Sequence, residues 1–288
     1  MRPMQGNKRK TGLEQYYTPQ EVADSVVKKL IPSIEGYKNK TWLEPAGGNG
    51  VFIETLLGNG CSKIFSVDVV PKHHMVEQAD FLQADFDFSN AIAIGNPPFG
   101  RNNSLSIPFF NHSARFSETI CFIVPKSWRK WSVVNRLDSN FHLVDDYEIN
   151  VAYVDGGGNR LSQQNCLNTI VQTWQRKQYM RKKVQVQDMK VLEKTSPKDA
   201  DVALTVFGYN CGRVETDFDR VSNSTKIFLK LMNKRSLEAL QSVDYSVFSK
   251  NTSYIDALSM QEINYLVNEF IFGQTSLPEK KCKECLCC

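Results

Sequence analysis

AIAIGNPPFG, residues 91–100, is an alternating apolar strand over 91–94, then a glycine, then Asn96, Pro97, Pro98 and Phe99, and a second glycine. Two consecutive prolines fix their own φ and donate no backbone hydrogen bond. The sheet ladder must therefore stop there, and the Pro97 carbonyl is free to point outward. With the Asn96 amide and the Phe99 ring, this tip offers two hydrogen-bond acceptors and a stacking face. Those groups suit a planar partner that carries an exocyclic NH2: adenine, cytosine, guanine or a carboxamide. The bland alternative is a strand that ends in a proline turn, and the rest of the chain decides between the two.

Upstream, residues 41–44 form a short strand that runs into Pro45-Ala46-Gly47-Gly48-Asn49-Gly50 and a helix over about 51–57, closed by Gly58. Strand, glycine-rich turn and helix let a backbone approach a ligand closely and turn free N–H groups toward it. The turn is not the GxGxxG dinucleotide fingerprint. Glu44 would repel a pyrophosphate but attract a cationic amino acid moiety, which favours S-adenosylmethionine over NAD or ATP. A second strand, 63–67, ends in Asp68, placed to accept both ribose hydroxyls. Asp80 and Phe81 offer a carboxylate and a ring for an adenine, with Asp85 as the alternative to Asp80. Earlier still, Thr18 is expected to cap a helix with Pro19 at its first position and Glu21 completing a capping box, and Val22, Val26, Val27 and Leu30 form its apolar stripe. Tyr16 and Tyr17 precede that cap, as a hydrophobic staple or as rings over whatever the helix start faces.

Downstream, 104–116 reads as a helical region and 119–124 as a buried strand that ends at Pro125, which brings Lys126-Ser127-Trp128 to a carboxyl end of the sheet. Residues 141–149 and 166–174 read as an antiparallel pair closing the sheet. Between them DGGGNRLSQQN, 155–165, is too polar and glycine-rich for a core and reads as a mobile flap. Residues 202–208 look like a strand, 227–232 are ambiguous, and 259–272 form a helix with Ile263, Leu266, Val267 and Phe270 on one face.

The 288 residues allow a full α/β core plus a smaller appendage, and 41% hydrophobic with 23% charged residues describe an ordinary soluble chain. No run approaches a membrane span and MRPMQGNKRK lacks the apolar core of a signal peptide, so an intracellular, non-membrane protein is expected. Cys61, Cys121, Cys166 and Cys211 read as buried thiols, while Cys282, Cys285, Cys287 and Cys288 crowd the tail; its CxxC spacing lacks a second pair set back by a loop, so a disordered tail is expected ahead of a structural zinc site, and no metal site is assigned. Residues 1–12 carry four cations and no acid, and 176–194 carry seven cations against two acids. Taking those +4 and +5 from the net +4 leaves −5 for the rest. Two basic clusters on an acidic body form a footprint for a polyanion. In the second, Arg176, Lys177, Arg181, Lys182 and Lys183 are the candidate nucleic-acid contacts.

YYTP, LEPAGGNG, VD, DFL and IGNPPFG, in that order, resemble the N6-adenine DNA methyltransferases whose cofactor motif precedes the NPPF motif, an enzyme group of bacteria, phages and large DNA viruses. The resemblance covers about 13–176. It implies a Rossmann-like, seven-stranded, mostly parallel α/β sheet with an antiparallel last strand. S-adenosylmethionine would be the cofactor, S-adenosylhomocysteine the product and double-stranded DNA the substrate, with a cognate restriction endonuclease as a possible partner. By motif, Tyr17, Thr18 and Pro19 would border the methionine part beside Glu44, Ala46 and Gly48. Asp68 would hold the ribose, Asp80 and Phe81 the adenine. Asn96, Pro97, Pro98 and Phe99 would form the catalytic tip, with Asn96 also beside the cofactor. Phe99, with Trp128 or Tyr16, would stack on a flipped base. The implied organisation is a basic N-terminus (1–12), a catalytic domain (13–176), a small α+β target-recognition domain (177–278) and a Cys-rich tail (279–288). The competing readings are methylation of RNA adenine or guanine or of a protein glutamine, an inactive nucleic-acid-binding homologue, and an NAD-dependent reductase.

Overall fold

The computed structural model describes residues 17–152 and 168–274. Tyr16, the basic residues 1–12, the expected flap at 155–165, Cys166 and the Cys-rich tail lie outside them. The chain divides between Lys183 and Val184 into two compact units. The division follows the first basic residues of the run instead of preceding them, because their backbone and arginines are tied to the first unit. The Lys177 N–H donates to the Asn140 carbonyl at 2.8 Å and the Arg181 N–H to that of Ser139 at 2.7 Å.

In the first unit, α1 (Gln20–Leu30), β1 (Trp42–Glu44), α2 (Val51–Gly58), β2 (Ile64–Asp68), β3 (Glu77–Gln78), β4 (Ala91–Gly95), α3 (Ser106–Ser113), β5 (Ser117–Pro125), a single-turn α4 (Trp131–Val134), β6 (Phe141–Ile149) and β7 (Thr169–Arg176) follow in chain order. They form one seven-stranded sheet, β3-β2-β1-β4-β5-β7-β6. Neighbours run parallel except at β7, which is antiparallel to both β5 and β6. This is a Rossmann-like α/β sheet, with its one reversed strand the last of the sheet in chain order. All five residues of β4 are buried because helices cover both faces. Ile92 and Ile94 pack with Val26 of α1 and Phe52 of α2, whereas Ala91 and Ala93 pack with Phe110 of α3, Phe122 and Trp174.

The α1 start differs from expectation by one residue. Pro19 is extended (φ −64°, ψ 151°) and is itself the N-cap, with no side-chain cap bond. Its carbonyl accepts the N–H groups of Val22 and Ala23 at 3.1 and 3.2 Å. Thr18 therefore does not cap the helix. The second unit contains β8 (Leu192–Lys194), β9 (Val202–Thr205), β10 (Val214–Glu215), β11 (Lys226–Leu231), α5 (Ser236–Ser242), α6 (Ser246–Ser249) and α7 (Met260–Phe272). Its antiparallel sheet, β10-β9-β11-β8, buries Leu192, Val202, Leu204 and Leu229 with Leu240, Ile263 and Val267, an α+β arrangement. Residues 227–231 of the ambiguous stretch are thus strand, and α7 opens with a capping box at Ser259 and Glu262.

Candidate active site

The order of the sheet reverses between β1 and β4, the place where open α/β sheets leave a crevice beyond the strand ends. A cavity of about 330 Å³ lies there. Its walls come from the carboxyl ends of β1 (Glu44), β2 (Asp68) and β4 (Asn96), and from the segments that follow each strand. The geometry brings together Tyr17, Thr18, Glu44, Ala46, Gly48 and Asp68, and with them Asp80, Phe81, Asn96, Pro97, Pro98 and Phe99. Pro19 is buried but is not part of the wall.

On the floor, Glu44 is 2% exposed. The Ser66 hydroxyl donates to its Oε2 at 3.2 Å. Burial pushes the Glu44 carboxyl well above the usual carboxylate range; the Ser66 bond opposes this and the nearby Asp68 charge reinforces it. A cation brought beside Glu44 would favour its ionised form. The glycine turn explains itself sterically. A Cβ on Gly47 would stand 2.1 Å from the Ser66 hydroxyl oxygen, and Gly48, at φ +46°, lies against the Tyr17 ring. Asp68 is fixed by two backbone donors, the N–H of Gly48 to Oδ2 and that of Val70 to Oδ1, each at 2.8 Å. Each carboxylate oxygen can accept further bonds, so the pinned side chain is oriented but not used up. Asp80 accepts the Leu82 N–H at 3.0 Å, and the buried Phe81 ring packs on Phe86, Phe109 and His112.

At the β4 end, Asn96 Oδ1 is buried and has no hydrogen-bond partner among the described residues. An unsatisfied buried acceptor of this kind costs about 1–3 kcal/mol, and Asn96 is one of the residues that line the cavity. Phe99 is 6% exposed, partly built into the core around Ile94 and Val171, and also lines the cavity. The Phe99 carbonyl accepts N–H groups from Leu105 and Ser106 at 3.2 and 3.3 Å, which folds the following loop back on the tip.

Three expectations need correction. Trp128 is fully buried: it packs on Phe110 and its Nε1 donates to Ser106 Oγ at 3.2 Å, so it has no face to offer a base. Arg176 donates from its guanidinium to the Ala114 and Ser117 carbonyls. Arg181 donates to those of Val134, Leu137 and Phe141, and burial lowers its pKa. Both arginines hold the first unit together, which leaves Lys177, Lys182 and Lys183 of that set, the latter two exposed. The cavity also recruits residues that sequence reasoning does not single out, among them Asn49, Val69, Val70, Leu105 and Phe109. Val69 and Val70, 47% and 39% exposed directly after Asp68, are detectable as apolar residues where a surface turn should be polar.

No model of a protein family matches the chain. The resemblance in the motifs has a counterpart among known sequences. The chain is 32% identical over 101 residues to Type II methyltransferase M.HincII of Haemophilus influenzae, a match covering 34% of this chain and 19% of that protein. It is equally similar to Type II methyltransferase M.HindII of the same species. The match thus spans about a fifth of the length of either relative. Among solved structures, a modification subunit assigned to a type I restriction enzyme of Vibrio vulnificus aligns with a TM-score of 0.41 at 14% identity, over 86% of this chain and 60% of that one. Magnesium protoporphyrin IX methyltransferase of Synechocystis, solved with bound S-adenosylmethionine, aligns at 0.39 and 12% identity, over 55% and 79%.

Proposed function

We propose that this chain binds S-adenosylmethionine in the β1–β4 crevice and transfers its methyl group to the N6 amino group of an adenine in double-stranded DNA. The observation that carries the reading is the buried, unpartnered Asn96 Oδ1 at the cavity wall, between Gly95 and two prolines. The remaining residues fit the cofactor. Glu44, whose charged form burial disfavours and a cation would stabilise, suits its ammonium group, the two-point-anchored Asp68 its ribose hydroxyls, and Asp80 with Phe81 its adenine. Tyr17, Thr18, Ala46 and Gly48 complete the methionine end.

When bound, S-adenosylmethionine supplies an electrophilic methyl group on a positively charged sulfur. The chain must do the rest. An exocyclic adenine nitrogen is a poor nucleophile because its lone pair is delocalised into the ring. Accepting its two N–H groups at Asn96 Oδ1 and the Pro97 carbonyl favours a localised lone pair and orients it. Since the acceptor amine lies inside a duplex, it must leave the stack to reach Asn96, and Phe99 is the ring beside which it would come to rest. No side chain has to remove a proton before transfer, because the amine becomes acidic only once it is methylated.

The test is to incubate the protein with methyl-labelled S-adenosylmethionine and unmethylated duplex DNA, with single-stranded DNA, RNA and a glutamine peptide in parallel, and to identify the labelled product. N6-methyladenine from duplex DNA is the expected result. Label only in RNA or peptide would move the acceptor, and cofactor binding without transfer to any of them would defeat the catalytic reading.

A further inference from the structure

Residues 100–106 follow the Asn96–Phe99 tip and are shaped at unusual conformational cost. Asn102 and Asn103 both have positive φ, 54° and 61°, as does Gly100 at 67°. Left-handed non-glycine residues cost on the order of 1 kcal/mol each and persist where the surroundings over-determine them. Here two bonds do so. The buried Asn103 donates from Nδ2 to Ser127 Oγ at 3.1 Å, and the fully buried Ser106 accepts from Trp128 Nε1 at 3.2 Å.

The partner segment, Lys126–Arg129, is itself anchored. Lys126 pairs with Glu148 at 2.7 Å, and Arg129 pairs with Asp146 and Glu148. Yet the loop's most prominent side chain is left in solvent. Arg101 is exposed and makes no ion pair or side-chain hydrogen bond among the described residues. It stands between two residues that line the cavity, Phe99 and Leu105, and Leu105 is 37% exposed. The result is a stiff lip on the acceptor cavity with one uncommitted cation on its outer side.

We propose that this lip receives the phosphodiester next to the acceptor nucleotide. Arg101 pairs with the phosphate, and Asn103, acting through Ser127, is the positioning residue that holds the lip in place. The inference rests on the nucleic-acid reading of the site and adds to it: the acceptor is part of a charged strand, engaged beside the base and not only at its amino group. A guanidinium suits this role because it forms paired bonds with phosphate oxygens.

The experiment measures binding of labelled duplex DNA, single-stranded DNA and RNA over a salt series, with turnover and S-adenosylmethionine affinity alongside. Leaving one phosphate without its cation makes the slope of log K on log salt shallower by about 0.9 for duplex DNA and about 0.7 for single strands. For Arg101→Ala we expect that change, a dissociation constant raised about tenfold at low salt, and unaltered cofactor affinity. Asn103→Ala could fail to fold, so Ser127→Ala serves for the clamp. Its expected effect is a raised KM for the oligonucleotide with kcat retained, reversed by Ser127→Thr.

If the unaltered protein methylates nucleic acid and Arg101→Ala leaves the salt slope unchanged, the lip inference fails and the functional reading stands. An equal loss of cofactor affinity in Arg101→Ala would make Arg101 structural and also overturn the inference. If the unaltered protein modifies only the glutamine peptide, the functional reading fails and takes the inference with it. A salt-slope change with RNA but not DNA would support the lip while moving the substrate.

Discussion

At the scale of single residues, Asn96 is fixed from both sides. Gly95 before it has φ +153°, and a Cβ there would come within 3.6 Å of Glu44 Cγ, while Pro97 and Pro98 follow. Asn96→Ala removes an acceptor without a structural bond, since Oδ1 makes none among the described residues. We expect kcat to fall by about 10²–10³-fold, the usual effect of deleting one such transition-state hydrogen bond. Cofactor affinity should stay within a few-fold, and equal loss of both would make Asn96 structural. Glu44 carries a pH signature. Its carboxyl is raised in the folded chain, so the folded state keeps a proton that the unfolded state releases above about pH 4. Its contribution to stability is complete below that pH and is lost as pH climbs toward the folded-state value. Glu44→Gln should therefore melt close to the unaltered chain at about pH 4 and progressively higher than it as pH rises above that, when followed by circular dichroism without cofactor. The same variant should bind S-adenosylmethionine more weakly, measured by calorimetry.

At the scale of elements, Trp128 tests whether the stretch after β5 is core or site. Trp128→Ala should cost about 3–5 kcal/mol in chemical denaturation. Trp128→Phe keeps a ring against Phe110 but removes the donor to Ser106, and should cost about 1–3 kcal/mol. Much of this unit is legible in the sequence because its signals are local. Prolines and glycines mark where β4 stops, and an apolar strand followed by an acid marks β2 and Asp68. Thr18 misleads because a threonine before a proline satisfies the pattern of a helix cap, whereas the extended Pro19 shifts the cap by one residue and leaves Thr18 to the cavity wall. Trp128, Arg176 and Arg181 mislead for a different reason. An aromatic or a cation at a strand end looks like a surface group, and only the packed structure shows which backbone carbonyls and rings claim it. β3, two residues long, has too little pattern to be seen. The second unit is least legible, since its strands are short and its one strong signal is the capping box of α7.

At the scale of the whole molecule, the exposed Lys182 and Lys183 lie where the two units divide, in a stretch without regular structure. Reversing both to Glu should weaken nucleic-acid binding and flatten its salt dependence by about one unit for each phosphate no longer neutralised. An unchanged slope in a fluorescence-anisotropy titration would remove these lysines from the interface. Limited trypsin treatment should cut at this pair and separate fragments that correspond to the two units, visible by mass spectrometry.

The reversed strand β7 also sets an order of assembly. It alone joins β6 to β5, with Thr169 paired to Pro125 on one side and Ile149 on the other. Until the ribosome has released Arg176, the apolar β5 presents an open ladder of unpaired backbone groups, the kind of edge that recruits other chains. The nascent protein is thus most prone to aggregate in the interval between synthesis of β5 and synthesis of β7, and that interval is where a chaperone would have its greatest effect on yield.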